Sequence, residues 1–128
     1  MLFRSLNDGK YTLETSNPSQ EEMPRFGTWT RDSSEEWIEY TWDEEKDINA
    51  VGLVFFDDGG GTRAPVEYVV EYLDENGKWQ KTKKQAGNGT ELKKMNITSF
   101  EKVKAKAIRV VMQKGTYAGL GVLEWEAY

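Results

Sequence analysis

Apolar and polar residues alternate with a period of two along much of this chain. The alternation is clearest in WIEYTW (Trp37 to Trp42) and VEYVVEYL (Val66 to Leu73), and it is typical of β-strands with one buried face. A helical stripe is not sustained over a window of about 11 residues anywhere in the sequence. Further strands are predicted at Ile48 to Phe56, Lys78 to Lys83, Glu91 to Ile97, Ala107 to Gln113 and Gly121 to Tyr128. The pattern therefore predicts an all-β chain of seven or more short strands.

Turn-forming residues separate these strands. Clusters of Asp, Asn, Gly and Lys occupy Asp43 to Asp47, Asp57 to Thr62, Asp74 to Lys78, Ala86 to Thr90 and Lys114 to Gly119. Within them, Asn76-Gly77 lies between two strand patterns, which predicts a hairpin with a type I′ turn. Many short strands joined in this way favour a sandwich or a barrel. The first 30 residues are less regular, and we expect a long ordered loop along the sandwich edge.

Length and composition indicate one globular domain spanning residues 1–128. The chain is 38% hydrophobic and 30% charged, too apolar for a disordered chain and too often interrupted by charge for a membrane span. It contains no cysteine and no histidine. This excludes disulfides, cysteine nucleophiles, a Ser-His-Asp triad and histidine-rich zinc sites. Catalysis would have to use carboxylates, lysine, tyrosine or a hard metal ion.

The net charge is -5, and acidic and basic side chains are unevenly distributed along the chain. Residues 1–76 contain 18 acidic and 6 basic side chains, and residues 77–128 contain 4 acidic and 11 basic ones. Alternating lysines are typical of a solvated sheet face or a protected edge, so we do not expect a nucleic-acid partner. Nothing in the sequence indicates oligomerisation, and we expect a monomer. The N-terminus lacks the apolar segment of a signal peptide, but a module inside a longer secreted protein would carry none, so the compartment stays open.

The run FFDDGGGTR, which ends at Arg63, is the most unusual feature of the chain. Glycines allow a close approach of the backbone to a ligand, Asp57 and Asp58 can accept hydrogen bonds from sugar hydroxyls, and Arg63 can donate several. These residues are candidates for a sugar site. The alternative is an ordinary solvated loop that contains an internal Asp-Arg pair. A phosphate loop is excluded, because the GxxxxGK[ST] pattern is absent and a strand follows.

Two aromatic residues lie in predicted loops rather than in strands. Trp29 in FGTWT and Tyr117 in KGTYAG are candidates for stacking on a sugar ring. Most of the other rings are expected in the core. Alternation places Ile38, Tyr40 and Trp42 on one face of their strand and Trp37 on the other, and Trp79 and Trp125 are predicted to lie where strands pack.

Acidic residues near the two ends of the chain could form a metal site. Asp8 in NDG and Glu124 in LEW would come together if the termini of a sandwich were adjacent, and a hard cation such as Ca²⁺ binds oxygen ligands. The alternative is an ordinary turn and a solvated strand residue. Three pairs of neighbouring acids also raise the possibility of a small carboxylate hydrolase: Glu21 and Glu22, Glu35 and Glu36, and Asp57 and Asp58. Neighbours on a strand point to opposite faces, which disfavours a catalytic pair.

The order of several segments resembles a known family. These segments are NDG, PRFGTW, EWIEYTW, VFFDDGGGTRAP, VEYVVEYLDENGKW and GLGVLEWEAY. Together they resemble the galactose-binding-like or discoidin-like (coagulation factor 5/8 type C) superfamily, and within it the C-terminal accessory domain of bacterial β-L-arabinofuranosidase-type glycoside hydrolases. The most specific segments are FDDGGG with its Arg and Pro, and LEW near the end.

This resemblance implies a jelly-roll β-sandwich of about eight antiparallel strands, with ligand loops at one tip. It implies a structural Ca²⁺ shared by Asp8 and Glu124, and sugar contacts from the loops that hold Asp57, Asp58, Arg63 and Tyr117. Sugar-binding relatives often use a histidine, which this chain lacks. The implied function is a non-catalytic carbohydrate-binding module for an oligosaccharide or polysaccharide, attached to a glycoside hydrolase that is extracellular or on the cell surface of a bacterium. The alternative is a scaffold domain that binds no sugar and braces the catalytic domain.

Overall fold

A computed structural model describes residues 26–27, 35–57, 62–115 and 119–128. These ranges contain seven strands and no helix: β1 (Phe26–Gly27), β2 (Glu35–Phe55), β3 (Thr62–Arg63), β4 (Glu67–Leu73), β5 (Trp79–Lys81), β6 (Asn96–Gln113) and β7 (Gly119–Ala127). The prediction of an all-β chain is confirmed. No helix long and apolar enough to cross a membrane occurs in the described ranges.

The strands form one hydrogen-bonded sheet that folds into two layers. The order is β1-β7-β2-β6-β4-β5, with β3 beside β7, and every pairing is antiparallel except that of β3 with β7. The long strands β2 and β6 belong to both layers. The first layer contains β5, β4, the C-terminal half of β6 and the N-terminal half of β2. The second layer contains the other halves of β2 and β6 together with β7, β1 and β3.

The core lies between these two layers. The ring of Tyr40 in the first layer stacks on Trp125 in the second, with centroids 4.2 Å apart and an interplanar angle of 4°. Tyr68 contacts Phe55 across the same interface at 5.7 Å, and its hydroxyl lies 2.9 Å from that of Thr98. The placement of Tyr40 and Trp37 on opposite faces and the core position of Trp125 are confirmed, and the structure has the sandwich architecture that the alternation and turns favoured. The same prediction was wrong for Trp79, which is half-buried on the outer face of the first layer, against Arg109.

Two predicted boundaries differ from the structure. Asp43 to Asp47 do not end a strand, because β2 continues through them as an irregularity in which its pairing with β6 shifts between Thr41 and Lys46. Of the predicted strand Glu91 to Ile97, only the last two residues lie in a strand, since β6 begins at Asn96. The buried Asn96 side chain donates to the carbonyl groups of Leu53 and Glu91 and so holds the preceding loop against β2.

The predicted hairpin between β4 and β5 is present, but its turn type differs. Leu73 pairs with Trp79, and Gly77 N–H donates to the Asp74 carbonyl at 3.1 Å. Gly77 has a φ of 77°, whereas Asn76 is not among the residues with positive φ. A type I′ turn needs positive φ at both central residues. The connection is therefore a three-residue loop, 75–77, between the bonded residues Asp74 and Lys78, and it contains one left-handed glycine. The prediction of a type I′ turn was wrong.

Side chains close the free edge of β4. The Gln85 side chain accepts a hydrogen bond from Val70 N–H at 3.2 Å and donates one to Val70 carbonyl at 2.8 Å. The Asn88 side chain donates to the Tyr68 carbonyl at 3.0 Å and to the Gln85 amide oxygen at 3.0 Å. Beyond the short strand β5, these amides take the place of a neighbouring strand.

A second, smaller apolar cluster lies on the outer face of the second layer. It contains Val54, Phe56 and Leu123, with Met95 packed against it. Glu124 pairs in register with Val54, and paired residues of an antiparallel ladder point to the same face. The Glu124 carboxylate therefore belongs to this outer face rather than to the core between the layers.

Candidate functional site

Several strand ends meet at one end of the sandwich, which we call the tip. In the second layer, Phe56 N–H donates to the Gly121 carbonyl at 2.9 Å, so the end of β2 lies beside the start of β7. In the first layer, Gln113 at the end of β6 pairs with the first residues of both β2 and β4. The contact between Phe55 and Tyr68 joins the two groups of strand ends. The tip consists of the strand termini at Gly27, Glu35, Phe55, Thr62, Glu67, Gln113 and Gly119.

Asp57 and Arg63 come together at the tip. Arg63 Nε lies 3.7 Å from Asp57 Oδ1, and Ala64 N–H donates to Asp57 Oδ2 at 3.4 Å. Arg63 is placed by β3, whose pairing with β7 sets it opposite Leu120. The Arg63 side chain is 48% exposed and that of Asp57 only 17%. Asp57 thus contacts the two residues Arg63 and Ala64, which follow the glycine-rich segment, and the Arg63 side chain faces solvent.

The rim of the tip carries additional polar groups. Gln113 Nε2 donates to Glu35 Oε2 at 2.7 Å across the β2–β6 pair. Glu36 is buried, and its register partner is the core residue Met112, so its carboxylate is on the inward face at this end of the sandwich. From the sequence, Glu36 was considered only as one of a pair of neighbouring acids with Glu35. The alternation that groups Glu36 with Ile38 and Tyr40 was the signal that could have identified it.

Three of the predicted sugar-binding residues, Trp29, Asp58 and Tyr117, lie outside the described residues, so their predicted role is untested. The described residues on either side of them are the strand ends of the tip. β1 ends at Gly27 and β2 begins at Glu35, and Asp57 and Thr62 flank the segment that contains Asp58. Tyr117 comes just before Gly119, where β7 begins.

Of the two predicted metal ligands, Asp8 lies outside the described residues and Glu124 lies within them. Glu124 is fully buried, at 0% exposure, on the outer face of the second layer. The alternative of a solvated strand residue is therefore wrong for Glu124. No cluster of three or more acidic, histidine or cysteine side chains that could hold a metal occurs within the described ranges.

A cleft of about 580 Å³ opens at the opposite end of the first layer. It is lined by the β4–β5 hairpin and the middle of β6, with four acidic side chains and four lysines: Glu45, Asp74, Glu75, Glu101, Lys83, Lys102, Lys104 and Lys106. Neither Asp57 nor Arg63, the two predicted sugar-binding residues that the structure describes, lines it. We therefore place the candidate site at the tip, where the Asp57–Arg63 pair lies.

The described residues of the tip offer hydrogen-bonding groups. A guanidinium carries five N–H donors in a fixed plane, and a carboxylate that holds it in place limits the entropy lost when a ligand binds. Sugar hydroxyls both donate and accept hydrogen bonds, so an exposed Arg63 beside Asp57 and a Glu35–Gln113 rim matches their chemistry.

A family model described as F5/8 type C domain matches residues 6–124 of the chain. Three solved structures show the same fold at low sequence identity. A chain of the β-galactosidase BgaA of Streptococcus pneumoniae has a TM-score of 0.74 at 20% identity, covering 97% of this chain and 88% of that one.

The second structure is CpGH89CBM32-5 from Clostridium perfringens, in complex with GalNAc-β-1,3-galactose. Its TM-score is 0.70 at 15% identity, with 98% of this chain and 81% of that chain covered. The third is a variant of chitosan-binding module 1 from a chitosanase/glucanase of Paenibacillus sp. IK-5. Its TM-score is 0.63 at 18% identity, with 81% and 74% covered.

Proposed function

Because the chain belongs to the F5/8 type C domain family, we propose that it is a non-catalytic carbohydrate-binding module. The observation that carries the proposal is the Asp57–Arg63 pair, which presents a half-exposed guanidinium at the tip. Two of the similar structures are described as binding GalNAc-β-1,3-galactose and chitosan, which supports a carbohydrate as the ligand.

Arg63 donates hydrogen bonds to the hydroxyl or ring oxygens of the sugar, and the neighbouring Asp57 carboxylate holds the guanidinium in place. Asp58, Trp29 and Tyr117 complete the site in this proposal, the aromatic rings by stacking on a sugar face. Affinity is expected to be weak, about 10 μM to 1 mM, because a shallow site open to water buries little area.

The module acts as part of a larger glycoside hydrolase that works outside a bacterial cell or on its surface. Its ligand is an oligosaccharide or polysaccharide, and it keeps the catalytic domain near that substrate without performing chemistry of its own. The likeness to a chain of a β-galactosidase and to modules named after glycoside hydrolases supports this setting.

We also propose that Glu124 supplies one oxygen ligand, and Asp8 another, to a structural Ca²⁺. The support is the complete burial of the Glu124 carboxylate beside an apolar cluster. A buried carboxylate is costly unless it is paired or bound to a metal, and Ca²⁺ prefers such oxygen ligands.

The sugar-binding proposal is tested by thermal-shift and calorimetric titration of the purified domain against plant and microbial oligosaccharides. We expect a sugar-dependent rise in melting temperature that is lost in Arg63→Ala. The matched control is Lys84→Ala, which removes an exposed cation paired with Glu101 at 3.8 Å away from the tip. A stabilisation by Ca²⁺ with no response to any sugar would instead favour a scaffold domain.

A further inference from the structure

A second surface with ligand-binding chemistry lies on the outer face of the first layer. Register places the side chains of Trp37, Val111 and Val69 in one row across β2, β6 and β4. The next row away from the tip contains Glu39, Arg109, Glu71 and Lys81. The side chain of Trp37 is 40% exposed, which makes it one of the exposed large hydrophobic residues of the described chain.

Arg109 fixes the geometry of this face. Its guanidinium carbon lies 4.3 Å from the ring centroid of Trp79 and 5.7 Å from that of Trp37. Glu71 Oε1 accepts from Arg109 Nε and lies the same distance, 2.7 Å, from a terminal guanidinium nitrogen. Cation–π contacts and a double ion-pair contact of this kind restrict the side chains on both sides of the arginine. We call Trp37, Arg109 and Trp79 the aromatic platform.

The aromatic platform is continuous with the tip. Trp37 is two residues from Glu35 along β2, a distance of about 7 Å in a strand. Glu35 is bonded to Gln113 at the rim of the tip. A chain of sugars held at the tip therefore needs to extend by only a short distance to lie over Trp37.

We propose that the aromatic platform is an extended subsite for a polysaccharide chain that runs from the tip across the outer face of the first layer. This inference rests on the proposed function, since it takes a carbohydrate as the ligand, but it concerns a different surface. Trp37 stacks against the C–H face of a sugar ring, and the Arg109–Glu71 pair offers hydrogen bonds to hydroxyls at the ring edge.

The charge pattern of this face favours a neutral, hydroxyl-rich ligand over a docked protein. The row of Glu39, Arg109, Glu71 and Lys81 alternates in sign and sums to zero, and the row at the rim adds Glu35 and Glu67 beside Gln113. The face therefore offers both donors and acceptors but no net positive charge that would attract an acidic partner. The centre of a protein–protein interface is depleted in charged residues, because burying them costs free energy. Water-exposed hydroxyls can bond to these groups without that cost.

The test compares long and short ligands on the intact domain. The probes are soluble xylan, mixed-linkage β-glucan, chitosan and polygalacturonate, each beside its own monosaccharide, which is too short to reach from the tip to Trp37, in affinity gel electrophoresis and calorimetry. For a polymer that binds, we expect Trp37→Ala to weaken binding by about three- to tenfold, with monosaccharide binding unchanged. The matched control is Tyr128→Ala, which removes another exposed aromatic ring at the far end of β7.

A second measurement reports occupancy directly. Oxidation of exposed tryptophan by N-bromosuccinimide, mapped by peptide mass spectrometry, is expected to slow at Trp37 when the polymer is present and not when the monosaccharide is. Unchanged polymer affinity in a folded Trp37→Ala, with binding lost in Arg63→Ala, would overturn the platform and leave the tip site standing. If the wild-type domain binds no polymer and no monosaccharide, both proposals fail.

Discussion

Tyr68 links the two layers at a single residue. Its ring contacts Phe55 and its hydroxyl is hydrogen-bonded to the hydroxyl of Thr98, with 2% of the residue exposed. Burial raises the pKa of the Tyr68 phenol above its ordinary value of 10.0, and the hydrogen bond to Thr98 acts in the opposite direction. Because the folded protein holds this proton more tightly than the unfolded chain, Tyr68 contributes stability below pH 10 that is lost as pH rises through the higher folded value.

Tyr68→Phe is therefore expected to have two effects. The free energy of unfolding at pH 7 should fall by about 1 kcal/mol, since a hydrogen bond is lost and the Thr98 hydroxyl is left without it. Above pH 10, the variant should lose stability less steeply than the wild type. Urea denaturation at a series of pH values measures both, with Tyr72→Phe as the control at a half-buried position. Parallel pH profiles for wild type and Tyr68→Phe would contradict the assignment.

At this scale, alternation predicts the side-chain directions of the first layer well. It places Tyr40 inward and Trp37 outward, because successive side chains of a strand point to opposite faces. It could not predict the pairing of Arg109 with Glu71, or the position of Arg109 between two tryptophans. Those contacts depend on which strands become neighbours, and a sequence pattern within one strand does not carry that information.

The β4–β5 hairpin shows how one side chain organises an element. Asp74 Oδ1 accepts from the N–H groups of Asn76 and Lys78, both at 2.9 Å, and Gln80 Nε2 donates to Oδ2 at 3.0 Å. The hydrogen bond from the Lys78 amide is the largest cause that lowers the Asp74 pKa below its ordinary value of 3.8. The charged form is favoured on folding, so this stability is present above about pH 4 and is lost as pH falls through the lower folded value.

Asp74→Ala is expected to lower the melting temperature at pH 7, because two turn N–H groups lose their acceptor. Asp74→Asn keeps an acceptor oxygen and should lie between the alanine variant and the wild type. The difference between the aspartate and asparagine proteins should shrink as pH falls below 4, which thermal unfolding from pH 2.5 to 7 can follow. A constant difference across this range would show that the carboxylate charge plays no part.

Elements were predicted more accurately than their connections. Period-two patterns identified the positions of β4, β7 and the C-terminal half of β6. The sequence did not predict that β2 runs unbroken through its acidic middle, because Asp and Glu are common in turns and the β6 partner that holds them was unknown. It also missed that Asn96 ends a loop by bonding to β2, since that bond spans 43 residues.

For the whole molecule, the meeting of the strand ends at the tip could be expected only from the resemblance to a family. No local sequence pattern predicts that Asp57, Glu35 and Gln113 lie at one end of a sandwich, because their proximity depends on the order of the strands in the sheet. The same holds for Glu124, whose alternation with Trp125 fits a solvated residue. Alternation does place Glu124 on the outer face of the second layer, opposite to Trp125, but no pattern within β7 shows that this face is buried beside Val54, Phe56 and Leu123.

The proposed Ca²⁺ stabilises the whole domain, because it binds only the folded chain. At a Ca²⁺ concentration 100 times the dissociation constant, the gain is about 2.7 kcal/mol, or roughly 10 °C in melting temperature for a domain of this size. We expect EDTA to remove this gain in the wild type and to have no effect on Glu124→Gln. Glu126→Gln, two residues further along β7, is the matched control. Equal responses of wild type and Glu124→Gln to Ca²⁺ would rule out Glu124 as a ligand.

The Gln85 and Asn88 side-chain amides that bond to β4 also make this strand edge less available to other copies of the chain. An open strand edge can pair with the edge of another molecule and start aggregation. Here Val70 N–H, Val70 carbonyl and Tyr68 carbonyl already have partners within the same chain. Copies that gather on one polymer, as the proposed function requires, are therefore not expected to join through this part of the β4 edge.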